Sequence, residues 1–576
     1  MKKRWTISVG VAFIAVLAHI ETIGYWFVTS DILALTVSSR AATINGVIDI
    51  FTQPLMAGTS FTNNALFYRP LMSLSYTLDY ALWGLDPTGY HLTNLVLHSV
   101  AVALSVLVVN AITDLETGSL AGLLVAAHPL TAEVVPAASR RDSVLMSVFL
   151  LTALFMLVRG RQRDSRWLHV GSVAAYAFAL LSKELSILFL GLAFMWVVFG
   201  ELDVEDSTSQ NIVLTVWTAL RYLIPFILVS VAYVGVRVAV LGGLGGYDQT
   251  RPLTLDTVFE IVTKYVMSIA YPQDIISALI GVVGLDPLRI LGGLLGVFAL
   301  VMFGLAIRRP HHMGALALAT VAGGIGSLPF VANLLNRFGV KIVLDYYTPQ
   351  PMALGGLFVV SLAVGALIAL LAFSQRRFAG TDWQPFAFFA IWFISPIPLF
   401  LLSGAYTVRN GYFFLIPAMG LVALMLTTAI RSIDLDAREL DASVALTVIA
   451  AVFVLSLSVT SPLVHEYDGW HTSGETNRAT LTALKDARVD APNNATVQIS
   501  KMPANVRTHR QAFPQVHSLS YAQKFTVESW LRLHDSDSRV TVRISKFFML
   551  PRTPTGATAA TKRKNGTTRV DIRYTY

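Results

Sequence analysis

One carboxylate and five cations in this chain have the types and placing to handle a phosphate beside a hydroxyl. Asp31 stands just past an apolar run from Trp5 to Val28, and Arg69, Arg140, Arg141, Lys183 and Arg409 fall at the ends of other apolar runs. Arginine and lysine neutralise phosphate oxygens, and a nearby carboxylate takes the proton of an attacking hydroxyl. Asp31 is therefore the candidate base, and the five cations are candidate phosphate ligands. Tyr68, His91, His128, Glu133, Glu184 and Tyr412 lie in the same short stretches and are expected to line or support such a site.

Several neighbours have a plainer reading. His128 and Glu133 are five residues apart, with Pro129 between them, so they do not stack on one helix face. A hydrogen-bonded pair is expected there ahead of a metal site. Glu21 is expected to face the bundle and pair with a cation such as Lys183, and Asp79 to be the polar face of an amphipathic helix. Lys183-Glu184 sits between two apolar runs, either as a solvated tip or as a cation aimed at a phosphate. No phosphate-binding Gly-x-x-x-x-Gly-Lys-Ser/Thr loop and no dinucleotide fingerprint occurs. No nucleic-acid partner is expected. A part for a divalent cation stays open, since carboxylates that bind one look the same as bases.

The elements that must position these residues are apolar. The chain has 576 residues, 54% hydrophobic and 14% charged, against about 25% charged in soluble chains. Apolar runs long enough to cross a bilayer recur. The reading is an α-helical polytopic membrane protein with about 13 transmembrane helices. After the first run they fall near 92–112, 119–138, 143–158, 167–182, 185–200, 212–240, 287–307, 312–332, 352–374, 384–404, 410–430 and 442–464.

Basic loops at Arg159–Arg166, Arg308-Arg309, Arg376-Arg377 and Arg431–Arg438 put the N-terminus in the cytoplasm. Residues 29–91 then form a large first outer loop, and 241–286 a second one with an amphipathic helix at the interface. Residues 1–464 are read as the transmembrane module and 465–576 as a small extracytoplasmic α/β domain. Strands are predicted at Thr496–Ser500, Arg539–Ser545 and Thr568–Tyr574. Both Asn-x-Thr sequons, at Asn494 and Asn565, fall in that tail, which holds 17 Lys and Arg against 9 Asp and Glu. With no cysteine, disulfides and thiolate chemistry are excluded.

Six short motifs follow in one order. They are Tyr68-Arg69-Pro70-Leu71, Gly89-Tyr90-His91-Leu92-x-Asn94-x-x-x-His98, His128-Pro129-x-x-x-Glu133, Ser139-Arg140-Arg141-Asp142, Ser182-Lys183-Glu184 and Arg409-x-x-Tyr412-x-x-x-x-Pro417-x-x-Gly420. This order resembles the membrane part of the transmembrane and tetratricopeptide-repeat O-mannosyltransferases, within the multispanning class C glycosyltransferases (GT-C). The resemblance implies a polyprenyl (dolichyl) phosphate sugar as donor and inverting displacement. It also implies an acceptor outside the cytoplasm and a base in the first outer loop. The family has paired acids there; in this chain Ser30 precedes Asp31, leaving Asp31 alone, and the tetratricopeptide repeats are absent from the sequence.

The expected function is transfer of mannose or another hexose to a protein or lipid-linked glycan. The alternative is a transporter or flippase of a lipid-linked glycan, for which inverted repeats and mid-bilayer polar breaks would be the sign.

Overall fold

The computed structural model describes residues 2–41, 43–63, 65–201, 209–247, 253–270, 384–431, 468–486, 496–499, 502–506, 523–534, 541–544, 547–550, 555–564 and 567–575. The spans expected near 287–307, 312–332, 352–374 and 442–464, and both sequons, lie outside the described residues.

The first apolar run does not stay helical to Val28. Helix α1 covers Lys2–His19, a 3-10 turn covers Ile20–Gly24, and Tyr25–Val28 lies in no helix or strand. The large loop that follows is itself built of helices: α2 (Ile32–Ser38), α3 (Ile44–Thr52) and α4 (Pro70–Trp83). Pro70 opens α4, where its missing N–H costs nothing. Helix α5 (Pro87–Ile112) opens the same way on Pro87, with Asp86 accepting from the Thr88 N–H at 3.0 Å.

Helix α5 is the centre of the bundle, with α1, α6 (Leu115–Ala127) and α7 (Arg141–Gln162) packed around it. Gly118 lets α6 approach closely; a Cβ there would sit 2.7 Å from the Val106 carbonyl oxygen. The span expected at 119–138 breaks at His128, because a residue before proline is driven out of the helical region. His128 is extended (ψ 132°), and 3-10 turns follow at Pro129–Glu133 and Ala138–Arg140.

Helices α8 (Arg166–Ser182), α9 (Phe189–Glu201) and α10 (Ser209–Leu241) continue the bundle. Helix α11 (Leu255–Ala270) bears out the amphipathic pattern of the second loop, burying Ile261, Val262, Tyr265, Val266 and Ile269. It packs on α13 (Ile397–Ser403), which follows α12 (Gln384–Ile394) and precedes α14 (Tyr412–Arg431).

Among the described residues, five helical segments are long and apolar enough to cross a membrane: Lys3–Gly24, Pro87–Ile112, Ala138–Gln162, Val213–Leu241 and Gln384–Ser403. Three shorter apolar helices accompany them. Leu92, Val96 and Val100 form an exposed stripe on α5, and Val213, Trp217, Leu220, Ile224 and Leu228 form another on α10. Apolar stripes of this length suit a lipid surround better than water.

The C-terminal segment is α/β. Strands β3 (Thr496–Ile499), β5 (Thr541–Ile544), β7 (Gly556–Lys564) and β8 (Thr567–Thr575) form one sheet in the order β5-β3-β8-β7. Strand β3 runs parallel to both neighbours and β7 antiparallel to β8. Alternate residues of β8 (Thr568, Val570, Ile572) point inward and meet α15 (Asp468–Asp486) and α16 (Lys524–His534) through Leu481, Leu484 and Val527. Two further short pairs occur: β4 (Met502–Val506) with β6 (Phe547–Leu550), and β1 (Ala65–Leu66) with β2 (Gly246–Tyr247). The β1–β2 pair joins the first outer loop to the second. All three predicted strands are present within the described residues, and β8 runs one residue further at each end than expected.

Candidate active site

The irregular residues Tyr25–Val28, the turns before α7 and after α8, and the turn Val408–Gly411 converge at one end of the bundle. Their charged side chains divide into a closed set and an open set.

Arg141 is the most closed. It is fully buried at the first turn of α7, 2.6 Å from Asp79 Oδ2. It also donates to the Tyr90 carbonyl at 3.0 Å and the Ser75 hydroxyl at 3.2 Å, and lies over the Tyr76 ring at 4.6 Å. Asp79 accepts from the Thr93 hydroxyl at 2.7 Å. Arg141 is thus a structural cation and not the phosphate ligand expected. Asp79 is no solvated polar face but its buried counter-ion.

Asp142 and Glu184 hold a second closed set. Arg69 donates through Nε and Nη2 to the two Glu184 oxygens (3.1 and 2.7 Å) and through Nη1 to Asp142 at 2.8 Å. Lys183 lies 3.1 Å from Asp142 and donates to the Ser143 hydroxyl at 2.7 Å and to Asn410 Oδ1 at 3.0 Å. An ammonium has three donors, so Lys183 is saturated and buried. It is a further correction to the expected phosphate ligands, and not the solvated tip either. Arg237 approaches Glu184 at 3.6 Å and donates to the Leu244 carbonyl at 2.8 Å. Burial raises the Glu184 carboxyl, yet Arg69 and Arg237 outweigh it and hold the group at about 2. Three cations against two carboxylates leave this set with one net positive charge.

The open set is Asp31, Arg140 and Arg409. Asp31 is half-buried at the N-terminus of α2 and accepts from the Ser30 hydroxyl at 2.8 Å. It makes no ion pair among the described residues, and lies within electrostatic reach of Arg140. Arg140 pairs with Glu133 at 2.6 Å and lies over the Trp470 ring at 4.9 Å. The Arg409 side chain makes no hydrogen bond or ion pair among the described residues. It is within electrostatic reach of Arg140, Asp142 and Lys183. Thr29 joins the Asp31 segment to the Arg140 segment by donating to the Ser139 hydroxyl at 2.6 Å, and Tyr76 of α4 donates to the Ala138 carbonyl at 2.6 Å.

The remaining expected residues are supports. His91 bonds the Trp26 carbonyl at 3.2 Å, Tyr412 bonds His98 Nδ1 at 2.6 Å, and Tyr68 donates to the Phe51 carbonyl at 3.0 Å. His128 and Glu133 are not the pair expected. His128 Nδ1 accepts from the Leu130 N–H, so Nε2 donates to the Ile269 carbonyl at 3.0 Å. Glu21 accepts from Tyr25 at 3.1 Å, while Lys183 is bound elsewhere. Among the described residues, no three His, Cys, Asp or Glu gather as a metal site would need.

Sequence reading passed over Arg237 and the tail residues, and took Asp79 for a solvated polar face. A charge inside a long apolar span was the available signal for Arg237. No local pattern marks the other two.

A helical frame with candidate membrane spans thus carries a cation-rich site at one end. Its sequence places it beside the mannosyltransferases: residues 69–233 match the family model described as dolichyl-phosphate-mannose-protein mannosyltransferase. Protein O-mannosyl-transferase TMTC3 of Homo sapiens is 33% identical over 135 residues, 23% of this chain and 15% of the relative. Protein O-mannosyl-transferase Tmtc2 of Drosophila melanogaster is 32% identical over 223 residues, 36% of this chain and 24% of the relative. The matches therefore span about a quarter or less of these relatives' length. Among solved structures, the apo oligosaccharyltransferase of Archaeoglobus fulgidus overlaps 86% of this chain and 62% of its own, with 12% identity and a TM-score of 0.44. ArnT from Cupriavidus metallidurans bound to undecaprenyl phosphate overlaps 93% and 85%, with 15% identity and a TM-score of 0.36.

Proposed function

We propose that this chain is an inverting membrane glycosyltransferase. It takes a hexose, mannose in the first instance, from a polyprenyl-phosphate donor and passes it to a hydroxyl acceptor on the extracytoplasmic side. The observation that carries the reading is the open set: Asp31, with no ion pair among the described residues, and Arg409 are both within electrostatic reach of Arg140, beside a closed set that is itself one charge positive. The acceptor hydroxyl gives its proton to Asp31, and its oxygen attacks the anomeric carbon. The bond from that carbon to the phosphate oxygen breaks, and the polyprenyl phosphate leaves with the electron pair. The leaving phosphate gains negative charge in this step, which is where fixed cations lower a barrier most. Arg140 and Arg409 meet that charge, and Arg69 adds to the field from the closed set. The matched family model and the named mannosyltransferases favour mannose, and a protein acceptor ahead of a glycan.

In this topology the N-terminus is cytoplasmic and the C-terminal α/β segment extracytoplasmic, on the side of Asp31. The test is reconstitution of the full chain in vesicles with dolichyl-phosphate mannose and a serine- and threonine-rich peptide. Mannosylated peptide and free dolichyl phosphate in equal amounts are expected. Donor that stays intact would reject the reading. Movement of intact donor across the vesicle bilayer without transfer would favour a flippase.

A further inference from the structure

The C-terminal α/β segment reaches back across more than 440 residues to grip the backbone just before Asp31. Tyr25–Ser30 lies in no helix or sheet, so its carbonyls need partners from elsewhere. The tail supplies three. Asn477 Nδ2 donates to the Phe27 carbonyl at 3.2 Å, Ser473 Oγ to the Val28 carbonyl at 2.5 Å, and Thr526 Oγ1 to the Ser30 carbonyl at 2.8 Å. Ser473 and Asn477 are one turn apart on α15, so they present one face to the segment. Gly474 lies between them, and a Cβ there would come within 3.3 Å of the Trp26 backbone nitrogen and oxygen. All three side chains are buried, and Trp26 meets Trp530 of α16 edge-on at 6.0 Å.

The same helix also touches the cation side. Trp470 Nε1 donates to the Ala132 carbonyl at 2.8 Å while its ring lies under Arg140. One element of the tail therefore contacts the backbone leading to the carboxylate and the side chain of the cation it faces.

We infer that the C-terminal segment is a working part of the site. Ser473, Asn477 and Thr526 are positioning residues that fix the Asp31 carboxylate against Arg140 by clamping residues 27–30. This rests on Asp31 being the base, and it assigns the tail a role in the transfer step rather than in acceptor capture. A carboxylate on an unsupported irregular segment would wander by an ångström or more, and misplacement of that size costs on the order of 100-fold in rate.

Two measurements on the full chain test the clamp, with Thr526→Val and the pair Ser473→Ala, Asn477→Leu as variants and Thr526→Ser as the conservative control. The first is hydrogen–deuterium exchange of residues 25–35, which needs no activity. Faster exchange there in Thr526→Val, with Thr526→Ser and the helices of the bundle unchanged, supports the clamp. Unchanged exchange of 25–35 in both clamp variants overturns it. The second is transfer from dolichyl-phosphate mannose to the same peptide. A fall in kcat of about 10- to 100-fold at constant KM for donor is expected in Thr526→Val, restored in Thr526→Ser. Unchanged kcat in the clamp variants, in a protein that Asp31→Asn inactivates, rejects the positioning role and spares the base. Full activity of Asp31→Asn rejects the base itself.

Discussion

Arg140 and Arg141 are adjacent in sequence and identical in type, yet they do opposite work. Arg141 is fully buried on Asp79, with Tyr76, Tyr90 and Ser75 filling its remaining surface. Arg140, one residue earlier, is left at the edge of the site with Glu133 on one side and within electrostatic reach of Asp31 and Arg409. The contrast extends to the whole cluster. A closed set of Arg141, Asp79, Arg69, Asp142, Lys183, Arg237 and Glu184 has every carboxylate paired inside it and one positive charge over, whereas Asp31 and Arg409 make no ion pair among the described residues. A buried pair is poor evidence of net stabilisation, but removing one member leaves an uncompensated charge, which is costly. The closed set therefore holds the end of the bundle in one shape, and the open set is the one we propose meets the substrate.

The comparison can be broken first where the effect is largest. Asp79→Asn keeps the shape but strands the Arg141 guanidinium, and should cost about 3–5 kcal/mol. Thermal unfolding in detergent would show it, with a double Asp79→Leu, Arg141→Leu variant recovering part of the loss. Unchanged melting of Asp79→Asn would mean that the pair is not structural. A smaller effect is expected in the open set. Arg409→Gln should leave melting unchanged and raise KM for dolichyl-phosphate mannose about tenfold, the worth of one charge-assisted contact. A loss of folding instead would move Arg409 into the closed set.

The smallest effect sharpens the Glu184 assignment. Its carboxyl is held at about 2, below its ordinary value of 4.5. A depressed carboxyl contributes stability that is present above about pH 4.5 and lost as pH falls through 2. Wild type should therefore melt above Glu184→Gln at neutral pH, and the gap should close between pH 4.5 and 2. A gap independent of pH would show that the ion pairs with Arg69 and Arg237 are not its source.

The helical frame was legible because apolar length and basic loops are local signals. Alternation marked β8, whereas the second span was expected from 92 and α5 opens earlier, on Pro87. The sequence also grouped the charged residues that, among the described ones, gather at this end of the bundle. It could not sort them, because the sorting partner is remote: Asp79 is 62 residues from Arg141, and Asn410 is 227 residues from Lys183. Nor could it end the first span at His19. Trp5–Val28 is mostly apolar, and the bonds that hold the Phe27 and Val28 carbonyls come from Asn477 and Ser473. Periodicity reports which face is apolar, not which distant side chain competes for a carbonyl.

The central claim is that unmatched charge marks the chemistry. It is tested most directly by the rate of mannose transfer from dolichyl-phosphate mannose in Asp31→Asn, at protein levels and melting temperature equal to wild type. Loss of a general base predicts a fall of about 100- to 10,000-fold with the fold intact. Transfer at the wild-type rate would contradict the account.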